Sequence, residues 1–316
     1  MAVTKQSVSV LSGDGIHSLL GVVFLPEAEA RGYFHVVHGM TEHMERYERF
    51  MRELAEEGWI CFGYDHLGHG KTASSPDELG YIAPKDGWDL LARDVGVFYD
   101  AVRRTYGAEG LPYCLMGHSM GSFVVRLAAE RYVRPDRLIV MGTGGTNPAA
   151  GAGLALIGVI RRLYGDRHIS KLIYRLAFGS YNKRFGGGTT EDPSPWLTSD
   201  EEVRNRYYAD PFCTFKFSVS AMGDLIRLMK YSNEARWFRN ISAELPILLV
   251  SGEEDPVGGY GKGVLQVERR LKRADKNVRC ILYPKARHEI LNEFTYERVK
   301  EDILRFCQEK KERTEA

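Results

Sequence analysis

The 316-residue sequence lacks closely spaced cysteines. Its five, Cys61, Cys114, Cys213, Cys280 and Cys307, are scattered, with no C-x-x-C pair. That excludes a disulfide framework and a cysteine-rich zinc module. The five read as buried free thiols in a reducing compartment, and the protein is expected to be cytoplasmic. Net charge is lacking too. Lys and Arg number 43 against 42 Asp and Glu, leaving +1. Such a balance gives no field to attract a phosphate backbone, so no nucleic-acid partner is expected. The N-terminal "MAVTKQSVSVLSGDG" lacks the apolar centre of a signal peptide. The longest apolar run, "AGLALIGVI" at 152–160, is too short to span a bilayer. No internal repeat is present.

What is there is ordinary globular material: 44% apolar and 27% charged residues, enough for a sizeable core. "SVSVLS" and "SLLGVVFLP", split by Gly-Asp-Gly at 13–15, predict an antiparallel hairpin. Strands follow at "YFHVVHG" (33–39), "WICFGYD" (59–65), "LPYCLMG" (111–117) and "DRLIVMGTGG". Helical spacing lies between them: Tyr47, Phe50, Met51, Leu54 and Ala55, then Trp88, Leu91, Val95, Phe98 and Val102, then Met120, Phe123, Val124 and Leu127. Strands that are apolar throughout, alternating with amphipathic helices, predict a parallel sheet covered on both faces. The alternation breaks from about 145 to 235 and resumes with "LPILLVSG" (245–252), a helix near 262–273, "NVRCILYP" (277–284) and a C-terminal helix. The core is therefore expected at 1–145 and 236–316, with a lid insertion at 146–235. The tail "KKERTEA" is expected to fray.

The chemistry is carried by "GHSMGS", 117–122. Ser119 falls between a buried strand and an amphipathic helix. A serine presented on such a strained turn leaves no room for side chains two positions either side, and Gly117 and Gly121 stand there. The following helix aims its N-terminus at the reaction centre and favours negative charge. A serine hydroxyl needs a general base, and the base needs an orienting carboxylate. In the strand–elbow–helix arrangement these follow on later strand ends, acid first. "PILLVSG" is followed by Glu253, Glu254 and Asp255. Asp255 is chosen because Pro256 fixes a turn beside it. "RCILYP" is followed by His288, the only histidine after His168. The oxyanion donors are expected to be the backbone N–H groups of Met120 and Met40, with Gly39 allowing close approach.

"VVHGMTEHMERY", "YDHLGHGKT", "LMGHSMGS", "SGEEDPVG" and "ARHEILNE", in this order, resemble the α/β-hydrolase-fold serine hydrolases grouped with monoacylglycerol lipases and bacterial lysophospholipases, of serine aminopeptidase S33 type. The resemblance covers nearly the whole core and implies an α/β-hydrolase fold: a mostly parallel eight-stranded sheet, helices on both faces and a helical lid. It implies a triad of Ser119, Asp255 and His288, an oxyanion hole at Met40 and Met120, and acyl-ester substrates such as monoacylglycerols or lysophospholipids. Ser122 departs from the family pattern, which has a second glycine there.

Other features have plainer readings. "GHGKT" (68–72) fails as a phosphate loop, because Asp65 stands where glycine is required. "HEILN" has no second histidine at 292. His38, His43, His66 and His69 are read as structural hydrogen-bonding groups, His118 as packing, and no metal or cofactor is expected. Aromatic residues of the insertion, Tyr174, Phe178, Tyr181, Trp196 and Tyr207 among them, either form the lid's own core or line an acyl pocket. "AGLALIGVI" either packs on the core or forms an apolar lip touching lipid aggregates; "RRLYGDRHISK" reads as a solvated face. Two rivals remain. A peptide hydrolase of this fold is disfavoured by Met40-Thr41-Glu42 in place of Pro-Gly. A non-catalytic ligand receptor is disfavoured by the intact triad.

Overall fold

The computed structural model describes residues 3–107 and 110–309; the expected fraying at 310–316 lies outside them. The first two strands, β1 (Val3–Leu11) and β2 (Ser18–Pro26), pair antiparallel as the Gly-Asp-Gly turn requires. Six more follow: β3 (Gly32–Val37), β4 (Trp59–Tyr64), β5 (Tyr113–His118), β6 (Arg137–Met141), β7 (Ile247–Gly252) and β8 (Val278–Tyr283). The sheet order is β1-β2-β4-β3-β5-β6-β7-β8, and every pairing from β4 onward is parallel. Strands β3 to β7 are buried at every position. This is why they read as continuous apolar runs without alternation.

Helices cover both faces. α1 (Glu48–Glu56) and, near the C-terminus, α10 (Tyr296–Gln308) share one core with Phe34, Met116 and Val250. On the other face lie α2 (Gly87–Tyr106), α3 (Met120–Arg131) and α9 (Lys262–Arg273), which share a second core with Val37, Leu115 and Val140. Leu91, Val95, Phe98 and Val102 of α2 are all 0% exposed, as their spacing predicts. Cys61, Cys114, Cys213 and Cys307 are buried free thiols, whereas Cys280 is half-buried on the outermost strand.

Five helices stand between β6 and β7: α4 (Ala150–Tyr164), α5 (Lys171–Phe178), α6 (Glu201–Ala209), α7 (Val219–Ser232) and α8 (Ala235–Asn240). Two buried polar side chains on or against α7 position it. Arg126 of α3, buried and without a carboxylate partner among the described residues, donates to Ser232 O and to Asn233 Oδ1 at 3.3 Å and stacks on Trp237 at 4.3 Å. A cation at the C-terminal end of α7 meets the negative pole of that helix, although burial pulls the Arg126 value down to about 9. Asp224 of α7 accepts a hydrogen bond from the Trp88 N–H, in the first turn of α2. Asp86, the residue before α2, makes no side-chain cap of its own, so a carboxylate from another helix meets an otherwise unpaired donor.

α4 packs one side against the core and leaves apolar residues of another exposed. Ile157 and Ile160 are buried, while Val159, Leu163 and Tyr164 are 57%, 68% and 66% exposed. Leu172 and Leu176 of α5 are exposed as well, at 41% and 65%. The basic run between them is anchored rather than merely solvated: Arg161 pairs with Asp166 at 2.6 Å and Arg167 lies 3.9 Å over Tyr81.

Candidate active site

The elbow is built by close approach. A Cβ on Gly117 would stand 2.2 Å from Gly121 O, and one on Gly121 would stand 2.2 Å from Val37 O. Only glycine fits either position, so β5 and α3 meet without a spacer. Ser119 between them has φ 53° and ψ −119°, a conformation that costs a non-glycine residue about 1–3 kcal/mol. Its N–H donates to Met141 O at 2.9 Å. Ser122, the departure from the family pattern, donates its hydroxyl to Ser119 O at 2.6 Å and so braces the turn.

Asp255 and His288 converge from the ends of β7 and β8. His288 Nδ1 lies 3.0 Å from Asp255 Oδ2, and the two side chains are 3% and 0% exposed. The contact is short, although Nδ1 is off the ideal hydrogen-bonding direction. Asp255 is held by the Val257 N–H at 2.8 Å and the Ser251 hydroxyl at 3.2 Å. The turn at Pro256 closes with Gly259 N–H to Pro256 O at 3.0 Å. Glu253 is exposed and Glu254 half-buried, so neither competes for this position.

Ser119 and His288 line one cavity of about 340 Å³, together with Met40 and Met120. Met120 opens α3, where no helical carbonyl reaches its N–H. Neither the Met40 nor the Met120 N–H has a hydrogen-bond partner among the described residues. Much of the remaining wall is apolar and aromatic and comes from the stretch between β6 and β7, including Phe178, Tyr181, Trp196 and Phe215, with Glu42, Lys216 and Glu289 among its charged members. Trp196 packs on the His288 ring at 5.1 Å, with Tyr181 against Trp196 at 5.0 Å. Burial, reinforced by the Asp255 charge, pushes the Tyr181 hydroxyl well above its ordinary value. The aromatics therefore serve both of their expected roles, packing on one another and lining the cavity.

The sequence did not reveal the charged network behind this cavity. Glu42 Oε1 accepts from the Gly39 N–H, from Tyr47 Oη at 3.0 Å, and from His118 Nδ1 at 3.1 Å. Arg46 donates to Glu42 at 3.0 Å and grips Glu289 with two bonds at 2.8 and 2.7 Å. Burial opposes charge on Glu42, Arg46 and His118. For Glu42 it is outweighed by His118 and Arg46, which hold the carboxyl well below its ordinary range. For His118 it is outweighed by Glu42, and the imidazole is raised. The available signal was the alternation of charge in "TEHMERY", whose partners are distant in sequence. His118 is therefore an ionic group as well as a packing one, with its ring 4.8 Å from that of His288.

A second tie reaches the same loop. Thr41, one residue past Met40, has φ 51°. Tyr207 of α6 donates its hydroxyl to Thr41 O at 3.0 Å and sits 2.9 Å from Thr41 Oγ1. His38, His66 and His69 are buried, with their rings in tilted and edge-on contact, and burial pulls all three below the ordinary histidine value. His38 Nε2 accepts from the His66 N–H at 3.0 Å. The "GHGKT" turn is held by Asp65, which accepts from the Lys71 and Met44 N–H groups at 2.7 Å each.

Comparison with known proteins finds related hydrolases. A monoacylglycerol lipase of Mycolicibacterium smegmatis is 25% identical over 309 residues, covering 96% of this chain and 97% of that one. Human monoglyceride lipase is 35% identical over 107 residues, 34% of this chain and 33% of its own. A thermostable carboxyl esterase from Bacillus coagulans, solved in complex with glycerol, superposes with a TM-score of 0.89 at 29% identity, covering 97% of this chain and 98% of that one. The model of the family described as serine aminopeptidase, S33, matches residues 28–295, and the chain belongs to that family.

Proposed function

We propose that the protein is a serine carboxylic-ester hydrolase that works through an acyl-Ser119 intermediate. One observation carries this reading: Ser119, at φ 53° on a glycine-bracketed elbow, shares a cavity with His288, whose Nδ1 is 3.0 Å from buried Asp255. Neutral His288 takes the Ser119 proton through Nε2 as the hydroxyl attacks the ester carbonyl. Asp255 orients the imidazole and stabilises the imidazolium. The carbonyl oxygen, now an anion, accepts from the Met40 and Met120 N–H groups. His288 returns its proton to the leaving alcohol. It then activates a water that cleaves the acyl-enzyme and restores Ser119.

The substrate class follows from the wall. A cavity walled mainly by aromatic and apolar side chains suits an acyl chain, and relatives named as monoacylglycerol lipases and a carboxyl esterase support the ester over the amide. Candidate substrates are monoacylglycerols, lysophospholipids and simple esters, with no cofactor required. Residues 146–235 act as the lid over a core formed by 1–145 and 236–316. The exposed Leu163, Leu172 and Leu176 give that lid a face suited to transient contact with lipid aggregates. Among the described residues no helix is long and apolar enough to cross a membrane, and we assign the protein to the cytoplasm.

A rate comparison across p-nitrophenyl esters of increasing chain length, monoacylglycerol and lysophosphatidylcholine tests this reading. Ser119→Ala should abolish turnover of all of them with little change in thermal stability. The pair Leu163→Glu and Leu176→Glu should slow hydrolysis of aggregated substrate and spare short soluble esters. Turnover retained in Ser119→Ala would refute the assignment.

A further inference from the structure

A third group of side chains joins the insertion to the loop that carries Met40. His43 Nε2 lies 2.8 Å from Asp210 Oδ2. The Cys213 thiol donates to the same carboxylate. One donor atom from each of His43, Asp210 and Cys213 lies within 4.8 Å of the other two. Asp210 and Cys213 are held in a tight D-x-x-C turn: the Cys213 N–H donates to Asp210 O at 3.0 Å and the Phe212 N–H to Asp210 Oδ1 at 2.8 Å. Two donors thus come from one turn just after α6, and the third from the loop after β3.

We propose that His43, Asp210 and Cys213 form a binding site for a divalent cation of the zinc class, and that filling it slows turnover. A nitrogen, oxygen and sulfur set on three side chains is chemistry that zinc accepts, with water in the fourth position. Bonds of about 2.3 Å to sulfur and about 2.0 Å to nitrogen and oxygen separate tetrahedral donors by roughly 3–4 Å. The present separations need shifts of about 1 Å or less to meet that geometry. Arg46, the cation beside Cys213, is engaged by the carboxylates of Glu42 and Glu289, so its charge is offset there. A cavity of about 550 Å³ lined by His43 and Asp210 gives an approach, and Asp210 is 28% exposed against 6% for His43.

Ligation replaces the His43–Asp210 hydrogen bond with two metal bonds: the Nε2 proton leaves to solvent and Nδ1 takes one up, so that the neutral imidazole binds through Nε2. The Cys213 thiol loses its proton to solvent as sulfur binds. The ion then ties the end of α6 to the Gly39–His43 loop. His43 stands three residues beyond Met40, so a shift at His43 displaces the proposed oxyanion donor. This rate effect rests on the oxyanion assignment above; binding does not.

Equilibrium dialysis with Co²⁺ on wild-type and Ser119→Ala protein separates the two. Both should bind one ion per chain and show a cobalt–thiolate charge-transfer absorption. Cys213→Ser should abolish that absorption, and Asp210→Asn and His43→Gln should each weaken binding about tenfold or more. Zn²⁺ should lower ester turnover of the wild type, a chelator should restore it, and Cys213→Ser should not respond. Absence of stoichiometric binding, an absorption unchanged in Cys213→Ser, or occupancy without loss of turnover would overturn the proposal. Because Ser119→Ala reports binding alone, a failure of the nucleophile assignment leaves that readout intact.

Discussion

Glu42 and His118 form a buried ion pair, Oε1 to Nδ1 3.1 Å, that ties the loop after β3 to the residue preceding Ser119. Breaking a buried pair from one side leaves the other charge unpaired, at a cost of about 3–5 kcal/mol. Glu42→Gln should therefore lower unfolding stability by about that amount and reduce kcat about tenfold or more, because a neutral amide oxygen holds the Gly39 N–H and His118 less tightly than the carboxylate does. Urea unfolding and steady-state rates on a short ester measure both. The pH dependence has a definite sign. His118 is raised above 6.5, so its contribution is complete below that value and is lost as pH rises through its folded titration. Glu42 is depressed below 4.5, so its contribution is present above that value and is lost as acid overtakes its folded titration. The wild-type advantage over Glu42→Gln should peak near pH 5–6 and shrink on both sides.

Tyr207 is expected to act on rate more than on binding. Its hydroxyl contacts only Thr41 among the described residues, and Thr41 holds a left-handed conformation next to Met40. Tyr207→Phe keeps the ring and removes both contacts. A fall in kcat of about tenfold, equivalent to 1.4 kcal/mol, with KM changed less than twofold, is the expected result in steady-state kinetics. A change confined to KM would show that Tyr207 shapes the cavity rather than the loop.

Asp224 should behave oppositely to Glu42. Burial raises its carboxyl from 3.8 to about 7, against the Trp88 N–H bond and Arg227, which lower it. A buried acid with a raised value penalises the folded state increasingly as pH climbs from its unfolded to its folded titration. Asp224→Asn retains an acceptor for the Trp88 N–H and removes the charge. The variant should gain on the wild type between about pH 4 and pH 7 and hold a constant advantage above, at most about 4 kcal/mol at 1.36 kcal/mol per unit. Thermal melts across that range measure it.

How much was legible depended on how local the cause was. The strand–helix alternation could be read because each strand is buried on both faces and each helix on one. The elbow could be read because the requirement for Gly117 and Gly121 lies within five residues. Asp255 and His288 could be nominated because each follows a recognisable strand end. The ties between the insertion and the core could not be read. Thr41 and Tyr207 are 166 positions apart, and His43 and Asp210 167. No periodicity or motif joins such pairs; only the folded insertion brings them together. The same limit applied to Arg126, whose partners are carbonyl and amide groups at the end of a distant helix. For α4, an apolar sequence could not distinguish a buried stripe from an exposed one, and the helix has both.

The account turns on Ser119 as the nucleophile, and covalent labelling tests this most directly. Folded protein treated with a fluorophosphonate and examined by intact mass and peptide mapping should carry one adduct per chain, on Ser119, and Ser119→Ala should carry none. An adduct on another residue, or no adduct on folded wild-type protein, would contradict it.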